Sequence, residues 1–288
     1  MKIAALQMVS GAEVGANLAR ARELLVQAAS QGAELAVLPE YFCLLGHDEK
    51  DKLRIRERPG QGPVQDFLAS TARELGLWVV GGTLPIEAAS GLPAEAGAGE
   101  AMDDPAAPLR VYNSTRVYTP QGECVAQYDK IHLFRYDNGR ERYDEARTLR
   151  PGREPVRFDL TSRDGQTWRV GLSVCYDLRF PELYRAHARA GADLLLVPSA
   201  FTHTTGQAHW EPLLRARAIE NLAYVAAAAQ GGLHDNGRRT WGHTMLLDPW
   251  GRVLDQHAEG EAVVLAELDA RWLRQCRQQL PALEHRVL

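Results

Sequence analysis

Gly171-Leu172-Ser173-Val174-Cys175-Tyr176-Asp177-Leu178-Arg179-Phe180-Pro181-Glu182 runs from an apolar, strand-like stretch into a sharp turn that carries a thiol. A helix is expected just beyond it, from Pro181 near its first turn to a stop at Gly191. A thiol at such a junction meets substrate and lies near the positive end of a helix dipole, which favours thiolate. Cysteine is also among the most buried residue types, so Cys175 on its own reads first as a small hydrophobe.

Two other segments share the pattern of an apolar strand ending in a reactive group. Leu35-Ala36-Val37-Leu38-Pro39 ends in the Glu40 carboxylate, and Val125-Ala126-Gln127-Tyr128-Asp129 ends in the Lys130 ammonium. With the strands side by side, all three groups emerge at one rim, where open sheets place their sites. Amide hydrolysis needs these types. A thiol is mostly protonated at neutral pH and needs a base, a role open to Glu40. The departing amine needs a proton, which protonated Glu40 can return. A tetrahedral oxyanion needs donors, for which Lys130 and the backbone N–H of Tyr176 are candidates. Singly, Glu40 reads as a solvated turn residue and Lys130 as a surface cation; the ordered set is what carries the inference.

Around these segments, strand-like and helix-like stretches alternate. Ile3 to Met8, Leu77 to Leu84, Leu194 to Val197, Tyr224 to Ala229, Thr240 to Leu247 and Val263 to Leu268 read as strands. Asn17 to Ala29, Val64 to Leu75 and Gln207 to Asn221 read as helices, and a short helix starts near Ala270. Turn chemistry at Thr119-Pro120-Gln121-Gly122 and Ser162-Arg163-Asp164-Gly165 predicts two hairpins, and residues 86–109 read as a surface loop. There are more strands than one open sheet holds comfortably, and two face-to-face sheets with helices outside satisfy the count.

The 288 residues are 45% hydrophobic and 24% charged, with a formal net charge of −4. That is ordinary globular composition, and no linker divides it, so one domain over residues 1–288 is expected, with a C-terminal segment from about 269. The charge offers no reason to expect nucleic acid or a membrane surface as partner. No apolar run is long enough to span a bilayer. The first strand is too short for a signal peptide, and a cytoplasmic location is the default. Cys43, Cys124, Cys175 and Cys276 are scattered without a C-x-x-C pair. His132, His203, His209 and His243 lie in separate segments and read as hydrogen-bonded structural residues, so no metal is expected. Neither a dinucleotide nor a phosphate-loop fingerprint is present, and no cofactor is expected. Arg215, Arg217 and Glu220 read as helix-face ion pairs.

The segments Ala36–Glu40, Tyr128-Asp129-Lys130-Ile131-His132-Leu133-Phe134 and Gly171–Leu183 resemble those of the carbon–nitrogen hydrolase, or nitrilase, superfamily. The likeness covers nearly the whole chain. It implies an α/β fold of the four-layer α-β-β-α sandwich type with mixed sheets, and a Glu40–Lys130–Cys175 triad. It further implies a second active-site glutamate downstream of the lysine, for which Glu145 in Tyr143-Asp144-Glu145 is the candidate. Ser199-Ala200-Phe201-Thr202, Thr205-Gly206-Gln207-Ala208-His209-Trp210-Glu211 and Leu214-Arg215-Ala216-Arg217-Ala218-Ile219-Glu220-Asn221 are similar to the Nit branch, and Ala227-Ala228-Ala229-Gln230-Gly231-Gly232-Leu233-His234 and Trp241-Gly242-His243-Thr244 resemble its subgroup acting on deaminated glutathione. That likeness puts the substrate pocket on Arg179, Phe201 and Thr205, and a guanidinium grips a carboxylate through two parallel bonds. The departures are Arg135 where relatives often carry an acid, Ala146 where serine is frequent, and a longer 86–109 segment. The resemblance implies a small-molecule amide substrate, a thioester on Cys175, and a homodimer or higher homo-oligomer. Three other readings stay open: an ω-amidase releasing ammonia from a keto-acid amide, a Cys–His hydrolase pairing Cys175 with His203 or His209, and a non-catalytic scaffold.

Overall fold

The computed structural model describes residues 1–88, 109–139 and 141–287. The chain folds as an α-β-β-α sandwich, built on period-two alternation in its strands. In the strand Lys2–Gln7, Ile3 and Ala5 point into one core while Ala4 and Leu6 point into another. In Leu35–Val37, Leu35 and Val37 join the first core and Ala36 the second. The first core lies between the two sheets and continues to the second sheet's helices; the other lies under the first sheet's helices. Strands buried on both faces are the mark of a sheet covered on both sides.

The first sheet has eight strands. Its path runs Ala262–Glu267, Lys2–Gln7, Leu35–Val37, Trp78–Val80, Val111–Tyr118, Leu84–Glu87, with Cys124–Asp129 and Leu149–Arg150 also paired to Val111–Tyr118. The second sheet runs Arg157–Thr161, Thr167–Leu172, Leu194–Leu196, Tyr224–Ala227, Thr244–Leu247, Val253–His257. Helices Val14–Ser30 and Pro63–Leu75 cover the first sheet, through Leu24, Leu25, Ala28, Val64, Leu68 and Ala72. Helices Pro181–Arg189 and His203–Asn221 cover the second, through Leu183, Tyr184, Trp210 and Leu214. The helix Ala270–Gln279 is capped by Asp269, and Arg277 ties it back by donating to the carbonyls of Ala192 and Leu222. None of the helices among the described residues is long and apolar enough to cross a membrane.

The hairpins are found as expected, with Arg157–Thr161 antiparallel to Thr167–Leu172 and Val111–Tyr118 antiparallel to Cys124–Asp129. Two expected strands are each broken in two. Leu77 to Leu84 separates into Trp78–Val80 and Leu84–Glu87 around Gly81–Thr83. Gly82 has φ +47, and a Cβ there would lie 2.0 Å from the carbonyl oxygen of Pro39. The break makes room for the loop that carries Glu40, and the Thr83 hydroxyl accepts from the Tyr41 N–H at 2.9 Å. Thr240 to Leu247 is likewise cut, at Gly242 (φ 71) and His243 (φ 54). Its first half, Arg239–Trp241, forms a separate ribbon with Gly231–Leu233, and its second half joins the second sheet. Of the expected 86–109 loop, Ile86 and Glu87 belong to a strand, and residues 89–108 lie outside the described residues.

A side chain at Gly82 must displace the Glu40 loop. The Gly82→Ala variant is expected to lose about 2 kcal/mol or more of stability through the left-handed backbone and the clash, read by urea denaturation, together with most of its activity. An unaltered midpoint would contradict the close approach.

Candidate active site

The three strand-end groups converge, but not from three strands lying side by side. Glu40 follows Leu35–Val37 and Lys130 follows Cys124–Asp129, both in the first sheet, whereas Cys175 follows Thr167–Leu172 in the second. The site is assembled across the sandwich.

Lys130 is 1% exposed and sits behind the cavity. Its Nζ donates to Glu40 Oε1 at 2.9 Å and lies 3.0 and 2.9 Å from Glu145 Oε1 and Oε2. Burial alone would drive the proton off Lys130, but the two carboxylates outweigh it and hold the ammonium above its ordinary range. Glu145 shows the reciprocal effect. Burial pushes its carboxyl up, and Lys130, Lys52 and the Phe134 N–H bring it below the ordinary carboxylate range. Glu145 Oε2 accepts that N–H at 2.7 Å, and Oε1 accepts the Tyr41 hydroxyl at 2.8 Å.

Glu40 is 1% exposed and accepts three protein hydrogen bonds. Besides Lys130, Asn113 Nδ2 donates to Oε1 and the Ala200 N–H to Oε2, each at 2.9 Å. A carboxylate has about four lone-pair directions, so Glu40 keeps capacity for one more proton.

Cys175 sits at φ 48, a left-handed conformation that costs a non-glycine residue about 1–3 kcal/mol. The turn holding it there is closed by several hydrogen bonds. The Cys175 N–H donates to the Pro198 carbonyl at 3.0 Å, and the Val174 N–H to Asp177 Oδ2 at 2.8 Å. Asp177 Oδ2 also accepts the Tyr128 hydroxyl at 2.7 Å, and Oδ1 accepts the His132 N–H at 3.0 Å. One fully buried carboxylate thereby joins the Cys175 turn to the strand end that carries Lys130. The expectation of a dipole-stabilised thiolate is not met. The segment after the thiol is a 3-10 turn of five residues, and the α-helix starts only at Pro181. Burial and the neighbouring Glu40 carboxylate push the thiol well above its ordinary value, more than Lys130 pulls it down.

A cavity opens over these groups. Seven of the eight residues expected from the sequence line it: Glu40, Glu145, Cys175, Tyr176, Arg179, Phe201 and Thr205. Arg179 stands over the rings of Phe201 and Tyr176, at 5.4 and 5.8 Å, with Nη1 3.2 Å from His209 Nδ1. The Thr205 hydroxyl lies 2.7 Å from that of Thr202. Tyr41, Phe134 and Arg238 also line the cavity and were not anticipated. Tyr41 follows Glu40 with φ 58, which nothing in its neighbours signals. Asn113 and Asp177 complete the support; Asp177 stood within the quoted motif, but its partners come from a distant strand.

The histidines occupy different places. His132 Nδ1 lies 2.7 Å from Asp177 Oδ1, His203 packs edge-on to Trp241, and His243 stacks on the same ring. His203 and His209 are absent from the cavity wall around Cys175 among the described residues, which removes the structural basis for a Cys–His pair. No group of three metal-ligating side chains occurs among the described residues. Arg215 pairs with Glu211 at the surface, but Arg217 is buried: it pairs with Glu220 and donates to the Leu178 carbonyl, bracing the nucleophile turn.

A model of the carbon–nitrogen hydrolase family matches residues 2–278, and the chain belongs to that family. It is 40% identical over 286 residues to a deaminated glutathione amidase of Synechocystis, covering 99% of this chain and 97% of the relative. It is 35% identical over 271 residues to the omega-amidase NIT2 of Danio rerio, covering 94% and 88%. The crystal structure of Saccharomyces cerevisiae Nit3, a nitrilase-superfamily member, superposes with a TM-score of 0.82 at 27% identity, covering 100% of this chain and 97% of that one.

The depressed Glu145 carboxyl makes stability depend on pH. A carboxylate held below its unfolded value contributes above that value and loses the contribution as pH falls through the folded one. Glu145→Gln is expected to cost about 3 kcal/mol near neutral pH, since it strips a partner from a buried cation. The difference in Tm from the wild type narrows below about pH 4, where free carboxyls protonate. A difference constant with pH would contradict the pairing.

Proposed function

We propose that the protein is an amidase acting on a small carboxylate-bearing amide through a thioester on Cys175, with deaminated glutathione as its substrate. The observation that carries this reading is the meeting of a thiol and two carboxylates in one cavity that also exposes Arg179, with a buried ammonium paired to both carboxylates behind it. The name of the Synechocystis relative supports the choice of substrate. Residues 1–288 act as one catalytic domain.

Glu40 takes the thiol proton as sulfur bonds to the amide carbon. The developing oxyanion is held by Lys130 and by the N–H of Tyr176. Collapse breaks the carbon–nitrogen bond, and the proton on Glu40 passes to the departing amine. Water then gives a proton to Glu40 and its oxygen to the thioester carbon. The carbon–sulfur bond breaks, and the Glu40 proton returns to the sulfur. Glu145 keeps Lys130 charged and in place, and Arg179 grips the carboxylate of the acyl portion. From deaminated glutathione the products are 2-oxoglutarate and cysteinylglycine.

A second reading is an ω-amidase that releases ammonia from α-ketoglutaramate, favoured by the similarity to the Danio rerio protein. Both readings predict that Cys175→Ala abolishes turnover and that Glu40→Gln slows acylation by about a thousandfold while the protein stays folded. Mass spectrometry of quenched reactions should find the acyl group on Cys175. Kinetics on the two substrates decide between the readings: a higher kcat/KM for deaminated glutathione supports the first, and a higher value for α-ketoglutaramate replaces it with the second. Retained activity in Cys175→Ala would refute both.

A further inference from the structure

The cavity wall holds a second guanidinium for which the hydrolytic steps have no use. Arg238 comes from the turn between the ribbon strands Gly231–Leu233 and Arg239–Trp241. Its guanidinium carbon lies 4.9 Å from the centre of the Tyr143 ring. Its guanidinium donates a long hydrogen bond from Nη2 to the Ala200 carbonyl at 3.4 Å and has the neutral Tyr143 hydroxyl as a further partner. Its Nε is buried without a partner, and no ion pair to Arg238 occurs among the described residues. A guanidinium has five N–H donors in a planar fork, and most are unspent on protein. Half-buried Arg277 and Arg56 pair with Asp193 and Glu87, whereas Arg185 and Arg286, for which no ion pair occurs among the described residues, do not line this cavity. An unpaired cation facing a cavity calls for an anionic ligand.

Its position indicates which part of the ligand that anion belongs to. Arg179 stands with Tyr176, Phe201 and His209, whereas Arg238 stands with Tyr143 and Ala200. Ala200 gives its N–H to Glu40 and its carbonyl to Arg238, so one residue of the cavity wall links the Arg238 head to the carboxylate that protonates the departing amine. We propose that Arg238 is a specificity-determining residue that binds a second carboxylate, carried by the amine portion of the substrate. The site then reads an amide with an acid on either side of the scissile bond, one held by Arg179 and the other by Arg238. The inference rests on the amidase reading, and it separates the two substrates. Cysteinylglycine ends in a carboxylate, whereas an amide that releases ammonia leaves Arg238 without a counter-ion.

The test compares deaminated glutathione with the same molecule capped as an amide at its glycine carboxylate, using the full chain. The wild type is expected to favour the free acid in kcat/KM by about tenfold or more, the scale of a hydrogen bond to a charged group. R238M should bring that ratio toward one. R238K should keep part of it, because the ammonium retains the charge but not the fork. R179M should lower kcat/KM for both compounds together and leave the ratio standing. A wild-type ratio near one overturns the proposal, and so does an R238M variant that slows both compounds equally. If R238M does not fold, the wild-type ratio and R238K decide by the same criteria. A wild type that hydrolyses neither compound overturns the amidase reading itself, and the role of Arg238 falls with it.

Discussion

One buried ammonium between two carboxylates organises this molecule. Lys130 is desolvated, and an isolated charge in that position would shed its proton or unfold the site. Glu40 and Glu145 keep it charged, and they do so from separate parts of the chain: the loop after the strand Leu35–Val37 and a short 3-10 turn. The three groups together carry one net negative charge. Burial, and after it the Glu40 carboxylate, hold the Cys175 proton well above the ordinary thiol value and keep it a thiol at rest. A thiolate would add a second uncompensated charge to the same dry pocket. In the proposed reaction, proton transfer to Glu40 and attack on the amide are therefore coupled, because a free thiolate is unfavourable beside these carboxylates.

The sandwich serves this arrangement. The acid and the cation belong to one sheet and the nucleophile to the other, so the distance between the sheets determines whether the groups meet. Asp177 spans that gap through Tyr128 and His132 on one side and Val174 on the other. Its neighbour Tyr128 stays a phenol, because burial and Asp177 hold its proton well above the ordinary value, and it remains a donor throughout the working pH range. Arg217 fastens the following turn from the outer helix. A strained Cys175 backbone persists because these contacts surround it on all sides.

Much of this was legible in the chain. Apolar runs that end in Glu40, Lys130 and Cys175 mark strand ends by periodicity alone, and the mixture of hairpins and helices requires two covered sheets. The identity of Glu145 came from resemblance, since an acid in a charged loop carries no local mark of burial. What periodicity cannot supply is which strand lies in which sheet. Periodicity places the three groups at strand ends, but the strands lie in two sheets whose ends face one another across a core. Leu77 to Leu84 and Thr240 to Leu247 read as continuous strands; only the proximity of Pro39 to Gly82 and the φ values at Gly242 and His243 explain the breaks. Arg238 sits in a turn rich in polar residues, where nothing in its neighbours distinguishes a cavity wall from a solvated loop.

The charge state of the resting nucleophile is the most direct consequence of the buried triad. Thiolate absorbs in the ultraviolet where thiol does not, so the difference in absorbance between the wild type and Cys175→Ser can be followed against pH without substrate. With Lys130 neutralised by two glutamates, that difference stays flat through the neutral range and rises only under alkaline conditions. A step at or below neutral pH would mean that Lys130 pairs with a resting thiolate, and the charge balance described here would be wrong.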